Sequence, residues 1–120
     1  MTESRLVYIA SPYAGDIQSN VEFAKDACRF AVSQGVTPLA VHLLYPQILD
    51  DQIPDERTVG IQMGLRVLKA CDELWACGDF ISHGMQIELT AAEEYGIPIK
   101  RIKAEELLAK EVPDHCMEMI

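Results

Sequence analysis

Short apolar runs alternate along the chain with longer segments whose apolar residues recur at helical spacing. The first run, residues 6–10, is rich in β-forming side chains and ends at Ser11-Pro12, which predicts a buried strand. Similar runs predict strands at residues 36–41, 72–77 and 97–99. Pro38 lies within the second run and cannot donate a ladder hydrogen bond, so this strand is expected at an edge of the sheet.

The segments between these strands predict helices. Ser19 followed by Glu22 forms a capping box, which predicts the start of the first helix, and Gly35 is a typical helix stop. After a long connection at residues 42–54, a second helix is predicted at about residues 55–70. The residues predicted on the apolar face of this second helix are Ile61, Leu65 and Leu68.

The last third of the chain repeats the alternation. A third helix is predicted to open at Ser82 or Gly84, to run to Tyr95 and to stop at Gly96. A short helix is predicted at about residues 104–110, and residues 112–120 show no pattern that assigns a structure.

Strands that alternate with helices indicate βαβ units and a parallel sheet covered on both faces. Right-handed crossovers favour a flavodoxin-like or Rossmann-like three-layer α/β sandwich, with a four- to five-stranded sheet in the order 2-1-3-4. The topological switch point then lies between the first and third strands. The loops at residues 11–18 and 77–84 should therefore face each other across one crevice. We expect one domain at residues 1–111 and a C-terminal tail at 112–120.

The composition indicates a small acidic globular domain. A chain of 120 residues with 49% hydrophobic residues supports one core and is too short for two domains. Its 10 Lys+Arg against 19 Asp+Glu give a formal net charge of −9, which argues against nucleic-acid polymers and anionic membranes as partners. The net charge does not exclude a small phosphorylated ligand, because a few local amides, helped by Arg57 or Arg66, suffice to bind one phosphate.

The N-terminal residues contain no basic segment followed by an apolar run, and no stretch approaches the roughly 18 apolar residues that span a bilayer. We therefore expect a soluble, cytoplasmic protein. The four cysteines have irregular spacings and no CxxC pair, which favours buried thiols. A zinc site formed by Cys71, Cys77 and Cys116 has no support in their spacing, so no metal is predicted.

The loop after the first strand combines a hydroxyl, an aromatic ring and a flexible glycine. Ser11 and the loop amides are suited to a phosphate or a sugar, Tyr13 to a stacking wall, and Gly15 to a flexible tip. A plain βα turn also contains Pro and Gly, so the loop alone does not decide between the two interpretations. It matches neither GxGxxG nor a P-loop.

The start of the third helix carries a second group of polar residues. Ser82 is suited to cap the helix, and Gly84 leaves room for a ligand near the first-turn amides. Glu88 lies one turn further in, where the positive helix end stabilises a carboxylate that is suited to act as a nucleophile or to accept sugar hydroxyls. Acidic residues also favour first turns without any function. His42 and His83 titrate in the neutral range, but loop or capping roles are more typical of such residues.

Three segments together carry a family resemblance: VYIASPYAG at residues 7–15, CDELW at 71–75 and SHGMQIE at 82–88. With them the chain resembles the nucleoside 2-deoxyribosyltransferase-like superfamily, and it is most similar to a branch of short bacterial and phage proteins. That branch shares HLLYP at residues 42–46 and GIPI at 96–99. The resemblance covers roughly residues 6–100 and implies cleavage or exchange of the N-glycosidic bond of a nucleoside or nucleotide.

The resemblance also implies roles for single residues. Glu88 matches a glutamate that attacks the anomeric carbon, so the reaction would pass through an oxocarbenium-like transition state and a covalent intermediate. Ser82 matches a serine that contacts the 5′-phosphate in a nucleotide hydrolase branch. The other residues that the resemblance places at the substrate are Tyr8, Ser11, Tyr13, Gly15 and Met85.

One departure concerns the acid that protonates the leaving base. Active relatives carry an Asp near the end of the second helix, and Gly64 stands near that position here. The transferase branch has a further Asp six residues before its nucleophile, where this chain has Ser82. The remaining candidates for the general acid are Asp79, Glu73 and His83.

Three hypotheses follow. The first is an enzyme that hydrolyses or transfers the base of a nucleoside or nucleotide. This hypothesis implies no metal or organic cofactor. By analogy with relatives, it also implies a homo-oligomer of two or more copies, in which a neighbouring copy completes the pocket. The second is a non-catalytic module that binds a nucleotide or a nucleotide-derived signal, which agrees with Gly64 in place of the acid. The third, based on charge alone, is an acidic protein that binds a basic partner.

Overall fold

Strands and helices alternate along the part of the chain that the computed structural model describes, residues 4–108. The strands are β1 (Leu6–Ala10), β2 (Thr37–Leu39), β3 (Glu73–Cys77) and β4 (Ile99–Ile102). The α-helices are α1 (Ile17–Ser33), α2 (Pro54–Lys69) and α3 (His83–Tyr95). Short 3-10 helices occupy Val41–Leu43, Tyr45–Gln47 and Ala104–Leu108. The predictions for the tail at 112–120, for Cys116 and for the end of the last helix fall outside the described residues.

The strands form one parallel sheet in the order β2-β1-β3-β4, which confirms the predicted order and the Rossmann-like class. Val7 pairs with Pro38 on one side and with Glu73 on the other. β2 pairs only with β1, so the missing N–H of Pro38 faces away from the ladder, as expected of an edge strand.

Successive residues of the central strands point to opposite sides of the sheet and build two separate cores. We call the side under α1 the closed face. Its main members are Val7, Ile9, Trp75, Cys77, Ala27, Phe30 and Ala31. We call the side under α2 and α3 the cleft face. Its main members are Tyr8, Ala10, Leu74, Ala76, Leu68, Met85, Ala91 and Ala92.

The predicted start of the first helix is wrong by three residues. α1 begins at Ile17, and Asp16 is its N-cap, because the Asp16 carboxylate accepts from the Ser19 amide at 3.2 Å. The Ser19 hydroxyl donates to the same carboxylate at 3.0 Å, and Ser19 itself lies within the first turn of the helix, so it is not the N-cap. Glu22 lies 3.6 Å from Lys25 instead of closing a capping box. A carboxylate three residues upstream is a stronger acceptor than the serine hydroxyl and therefore takes the cap.

Other boundaries follow from local hydrogen bonds. The third helix begins after Ser82, whose hydroxyl accepts from the Met85 amide at 3.2 Å, and it ends at Gly96 with φ +71°, both as predicted. The fourth strand begins at Ile99 rather than at residue 97, because the Ile97 amide is used to close α3 by donating to Ala92 O. Of the predicted apolar face of α2, Leu68 is buried and Leu65 packs against the cleft-face core, while Ile61 is 36% exposed.

The described cysteines are free thiols. Cys71 and Cys77 are buried on opposite faces of the sheet, in the cleft-face and closed-face cores respectively. Cys28 is half-buried against the closed face. Burial raises the pKa of Cys77 to about 12, so this thiol stays protonated. Separately, none of the helices within residues 4–108 is long and apolar enough to cross a bilayer.

Candidate active site

A cleft opens at the carboxyl ends of β1 and β3, which is the switch point of the sheet and the usual ligand site of open parallel sheets. Its cavity volume of about 210 Å³ suits a small molecule. The loop after β1 contributes Ser11 and Tyr13, and the start of α3 contributes Ser82 and Gly84. The two loops that the strand order brings together thus line one cleft, as predicted.

A third wall of the cleft was not predicted from the sequence. This wall comes from the connection after β2 and from α2, segments that lie far from both loops along the chain. Its members are Val41, His42, Tyr45, Pro46, Leu49, Asp51, Glu56, Arg57, Gly60, Ile61, Gly64 and Leu65. The HLLYP stretch at residues 42–46, with two polar aromatic side chains directly after a strand, was the available signal.

Glu88 is the buried carboxylate of the cleft. It is 6% exposed and lies one turn inside α3, with its Oε2 accepting a hydrogen bond from the Tyr8 hydroxyl. The same oxygen is 3.6 Å from His42 Nε2. Among residues 4–108, Glu88 Oε1 has no hydrogen-bond partner. One oxygen is therefore held in place while the other is free for a ligand.

The pKa of the Glu88 carboxyl is raised towards neutral pH. Burial raises the pKa of Glu88 to about 7, and the hydrogen bond from Tyr8 opposes part of that rise because it stabilises the anion. Burial and the charge of Glu88 raise the pKa of Tyr8 far above its usual value, so the phenol stays protonated and remains a donor. Such perturbed carboxyls in clefts are typical of functional sites.

His42 lies inside the cleft rather than in a plain loop. Its ring stacks on Tyr13, with centroids 5.5 Å apart and planes inclined by 20°. Burial lowers the pKa of His42, with the charge of Asp51 opposing that shift, so the imidazole is neutral around pH 7. Together the two rings form an aromatic wall next to Glu88.

Ser11 provides a second unpaired polar group. It is 2% exposed, and its Oγ has no partner within the part of the chain that the structure describes. A buried hydroxyl without a partner is unfavourable in the free protein. Ser11 Oγ and Glu88 Oε1 both line the cleft, so one ligand with hydroxyl groups can satisfy both.

Most of the residues predicted at the site line this cleft. They are Tyr8, Ser11, Tyr13, Ser82, His83, Gly84, Met85 and Glu88. Gly15 does not line it: this glycine is exposed and has φ +99°, which fits the predicted flexible turn. Of the two arginines named from the sequence, Arg57 lines the cleft and Arg66 does not.

Two of the three candidate general acids are engaged elsewhere. The Asp79 carboxylate accepts from the Ala104 amide at 3.1 Å and lies outside the cleft lining. Glu73 forms an ion pair with Arg5 and accepts from Trp75 Nε1 at 3.1 Å. His83 is exposed and lines the cleft at the first residue of α3.

Gly64 lies next to the Tyr8 hydroxyl. A Cβ at this position would be 3.4 Å from Tyr8 Oη and 3.5 Å from Val41 Cγ2. A side chain near the position where the family resemblance expects an aspartate would thus begin in van der Waals contact with the phenol that binds Glu88.

The chain was compared with known proteins both by sequence and by structure. A family model described as Domain of unknown function (DUF7768) matches residues 5–102. None of the curated proteins compared with the sequence matches it.

Two solved structures share the fold. A 2-deoxyribosyltransferase from the psychrotolerant bacterium Bacillus psychrosaccharolyticus superposes with a TM-score of 0.67 at 18% identity, covering 93% of this chain and 79% of that one. A 2-deoxyribosyltransferase from Leishmania mexicana superposes with a TM-score of 0.54 at 20% identity, covering 82% of this chain and 64% of that one. At these identities the likeness establishes the fold alone.

Proposed function

We propose that this chain, which belongs to the family described as Domain of unknown function (DUF7768), cleaves or transfers the N-glycosidic bond of a nucleoside or nucleotide. The observation that carries the proposal is the state of Glu88. One carboxylate oxygen is held by the Tyr8 hydroxyl, and the other is unpaired in a cleft at the switch point of the sheet. The fold shared with two 2-deoxyribosyltransferases adds support for this class of reaction.

The proposed reaction proceeds in two steps through Glu88. In the first, Glu88 Oε1 attacks the anomeric carbon, the bond from that carbon to the base nitrogen breaks, and the electron pair leaves with the base. A general acid gives the departing nitrogen a proton. In the second, water or another base attacks the anomeric carbon, the ester bond to Glu88 breaks, and the conjugate base of the acid takes up the attacking group's proton. The carboxylate and the acid are thereby regenerated, and no metal or organic cofactor is needed.

The neighbours of Glu88 have separate roles in this proposal. Tyr8 fixes Oε2 and so directs Oε1 towards the sugar. The stacked rings of Tyr13 and His42 form the wall against which the base lies. Ser11, Gly84 and Met85 contact the sugar from the loop after β1 and from the start of α3. His83 is the proposed general acid, since Asp79 is bonded to the Ala104 amide.

We further propose that two or more copies of the chain assemble so that a neighbour closes the cleft. Exposed apolar side chains support this proposal, since Leu44 and Ile48 are more than half exposed and are sequence neighbours of the cleft-lining Tyr45 and Leu49. The domain at residues 1–111 would then be the unit that assembles.

The test is base release by the natural chain and by Glu88→Gln, which keeps the size of the side chain and the acceptor for Tyr8. Glu94→Gln, an exposed glutamate further along α3, is the matched control. Each protein is incubated with a panel of ribo- and deoxynucleosides and their 5′-monophosphates, and free base is followed by chromatography. We expect release by the natural chain and by Glu94→Gln, and a loss of about 10³-fold or more in Glu88→Gln. Equal release by Glu88→Gln would contradict the role of Glu88.

A binding module is the second candidate function. Gly64 in place of an acidic residue favours it, as does the raised pKa of Glu88, because a half-protonated carboxyl binds hydroxyls well but is a weaker nucleophile. The same panel distinguishes the two functions. Stabilisation of the natural chain against heat by a nucleoside or nucleotide, without any release of base, would support the binding module instead of the enzyme.

A further inference from the structure

The charged groups around the cleft are mostly negative. Three carboxylates line it, those of Asp51, Glu56 and Glu88. Among residues 4–108, Arg57 is the one arginine or lysine in the lining, and its Nε is 4.0 Å from Asp51 Oδ1. This guanidinium is therefore shared with a carboxylate before any ligand arrives. The formal charge of −9 on the whole chain adds to the unfavourable field for an anion.

The start of α3 is the remaining place for an anion, because helix N-termini offer free amides. Here the Ser82 hydroxyl already accepts from the Met85 amide, so that amide is satisfied. No lysine or arginine from the described part of the chain lines this end of the cleft. A phosphate dianion would have amides and two serine hydroxyls as donors and, as the one arginine or lysine of the described residues, an Arg57 already shared with Asp51. It would meet the carboxylates of Asp51 and Glu56 and a partly ionised Glu88.

The unpaired groups in the cleft are of a kind that recognises hydroxyls. Glu88 Oε1 and Ser11 Oγ belong to residues that are each more than nine-tenths buried, and neither atom has a hydrogen-bond partner among residues 4–108. A carboxylate oxygen accepts a hydrogen bond from a hydroxyl but repels a phosphate oxygen, which has no proton to donate. The serine hydroxyl can donate to, or accept from, the same sugar.

We infer that the cleft selects a nucleoside with a free 5′-hydroxyl over the corresponding 5′-monophosphate. This inference rests on the proposed function, since it specifies the substrate of the same site. It departs from the role in phosphate binding that the family resemblance implies for Ser82, because the hydroxyl proton left over from the cap is one neutral donor in a cleft lined by carboxylates.

The first test compares kcat/KM for base release from nucleosides and from their 5′-monophosphates by the natural chain. We expect the nucleosides to be favoured by about tenfold or more, which is the effect of roughly one uncompensated charge contact. Because the discrimination comes from partly exposed charges, the ratio should shrink as salt is raised from low to about 0.5 M.

The second test removes the charges. Asp51→Asn combined with Glu56→Gln keeps the shapes of both side chains. This double variant should lower the ratio of kcat/KM for nucleosides to kcat/KM for monophosphates about tenfold, because kcat/KM for the monophosphates rises. Glu93→Gln combined with Glu94→Gln removes the same charge from exposed positions at the far end of α3 and should leave the ratio unchanged. If the cleft variant does not fold, the salt series on the natural chain still decides the question.

The outcomes separate this inference from the proposed function. Monophosphates cleaved as well as nucleosides, or better, would overturn the inference while the proposed function stands. A nucleoside preference that responds neither to salt nor to the paired substitution would overturn it too, because charge would then not be the cause. Absence of base release from both classes would overturn the proposed function and this inference with it.

Discussion

The two faces of the sheet use the same two central strands for opposite purposes. On the closed face, Val7, Ile9 and Trp75 pack with α1 in a core whose buried members are all apolar. On the cleft face, the alternate residues of the same strands pack under α2 and α3, and there the core contains Tyr8 bonded to Glu88. Within residues 4–107, Ser11 and Glu88 are the two buried polar or charged residues, and both line the cleft.

The difference shows how a small domain separates stability from chemistry. A closed apolar face stabilises the fold in proportion to the area it removes from water. Unpaired groups on the other face are unfavourable in the free protein and become favourable only when a ligand satisfies them. We therefore expect substitutions on the closed face to lower stability. Substitutions of the two unpaired polar groups on the cleft face, Ser11 and Glu88, should change ligand binding while they leave the free protein as stable or make it more so.

The largest effect is expected from Trp75→Ala on the closed face. Trp75 is 1% exposed, and its ring lies 6.1 Å from that of Phe30. Its removal should lower the free energy of unfolding by about 3–5 kcal/mol, since it leaves a cavity in the core. Denaturant unfolding followed by circular dichroism measures this change. Phe80→Ala removes an aromatic ring that is 64% exposed, and it should change the free energy by less than about 0.5 kcal/mol. Equal effects of the two substitutions would contradict the description of the closed face.

The next effect concerns the pH dependence of stability on the cleft face. The pKa of Glu88 is raised from 4.5 to about 7, so the folded state binds its proton more tightly than the unfolded state. The stability linked to this proton is complete below about pH 4.5 and is lost as the pH rises through about 7. Gln does not titrate. The free energy of unfolding of Glu88→Gln, measured relative to that of the natural chain, should therefore rise by about 3 kcal/mol between pH 4.5 and 8, at roughly 1.4 kcal/mol per pKa unit.

Unfolding curves of both proteins across this pH range give the difference directly. Glu94→Gln, whose carboxylate is exposed, serves as the reference and should follow the natural chain within about 0.5 kcal/mol. A flat difference between Glu88→Gln and the natural chain would show that Glu88 ionises without any cost from burial.

The smallest effect compares two serines of the same cleft. Ser11 Oγ is buried and unpaired, so Ser11→Ala should raise the free energy of unfolding of the ligand-free protein by about 1 kcal/mol. Ser82 Oγ caps α3, so Ser82→Ala should lower it by about 1 kcal/mol. Thermal or denaturant unfolding without ligand measures both changes. Destabilisation by Ser11→Ala would indicate that its hydroxyl has a partner in the folded protein.

Local patterns were sufficient to predict the strand order and the place of the crevice. The run at residues 6–10, Pro38 at the edge, and Ser82 and Gly96 at the ends of α3 are features set by neighbouring residues, and each appears as expected. The start of α1 was wrong because Asp16 and Ser19 compete for the same cap, and a hydroxyl pattern alone does not rank them.

The environment of Glu88 could not be predicted because it depends on contacts between distant parts of the chain. Tyr8 and Glu88 are 80 positions apart in the sequence and meet only when α3 packs on the sheet. His42 reaches Glu88 through the turn after β2, a segment without periodicity. The burial that raises the pKa of Glu88 comes from these elements together, so no local signal indicates it.

Gly64 makes three positions of the cleft dependent on one another. Tyr8 has a single hydroxyl proton, and Glu88 already accepts it. The Cβ of an aspartate introduced by Gly64→Asp would lie 3.4 Å from the same oxygen, which puts its carboxylate within reach of the proton that Glu88 accepts. Changes at positions 8, 64 and 88 are therefore expected to be non-additive, because all three side chains would meet at one phenol oxygen.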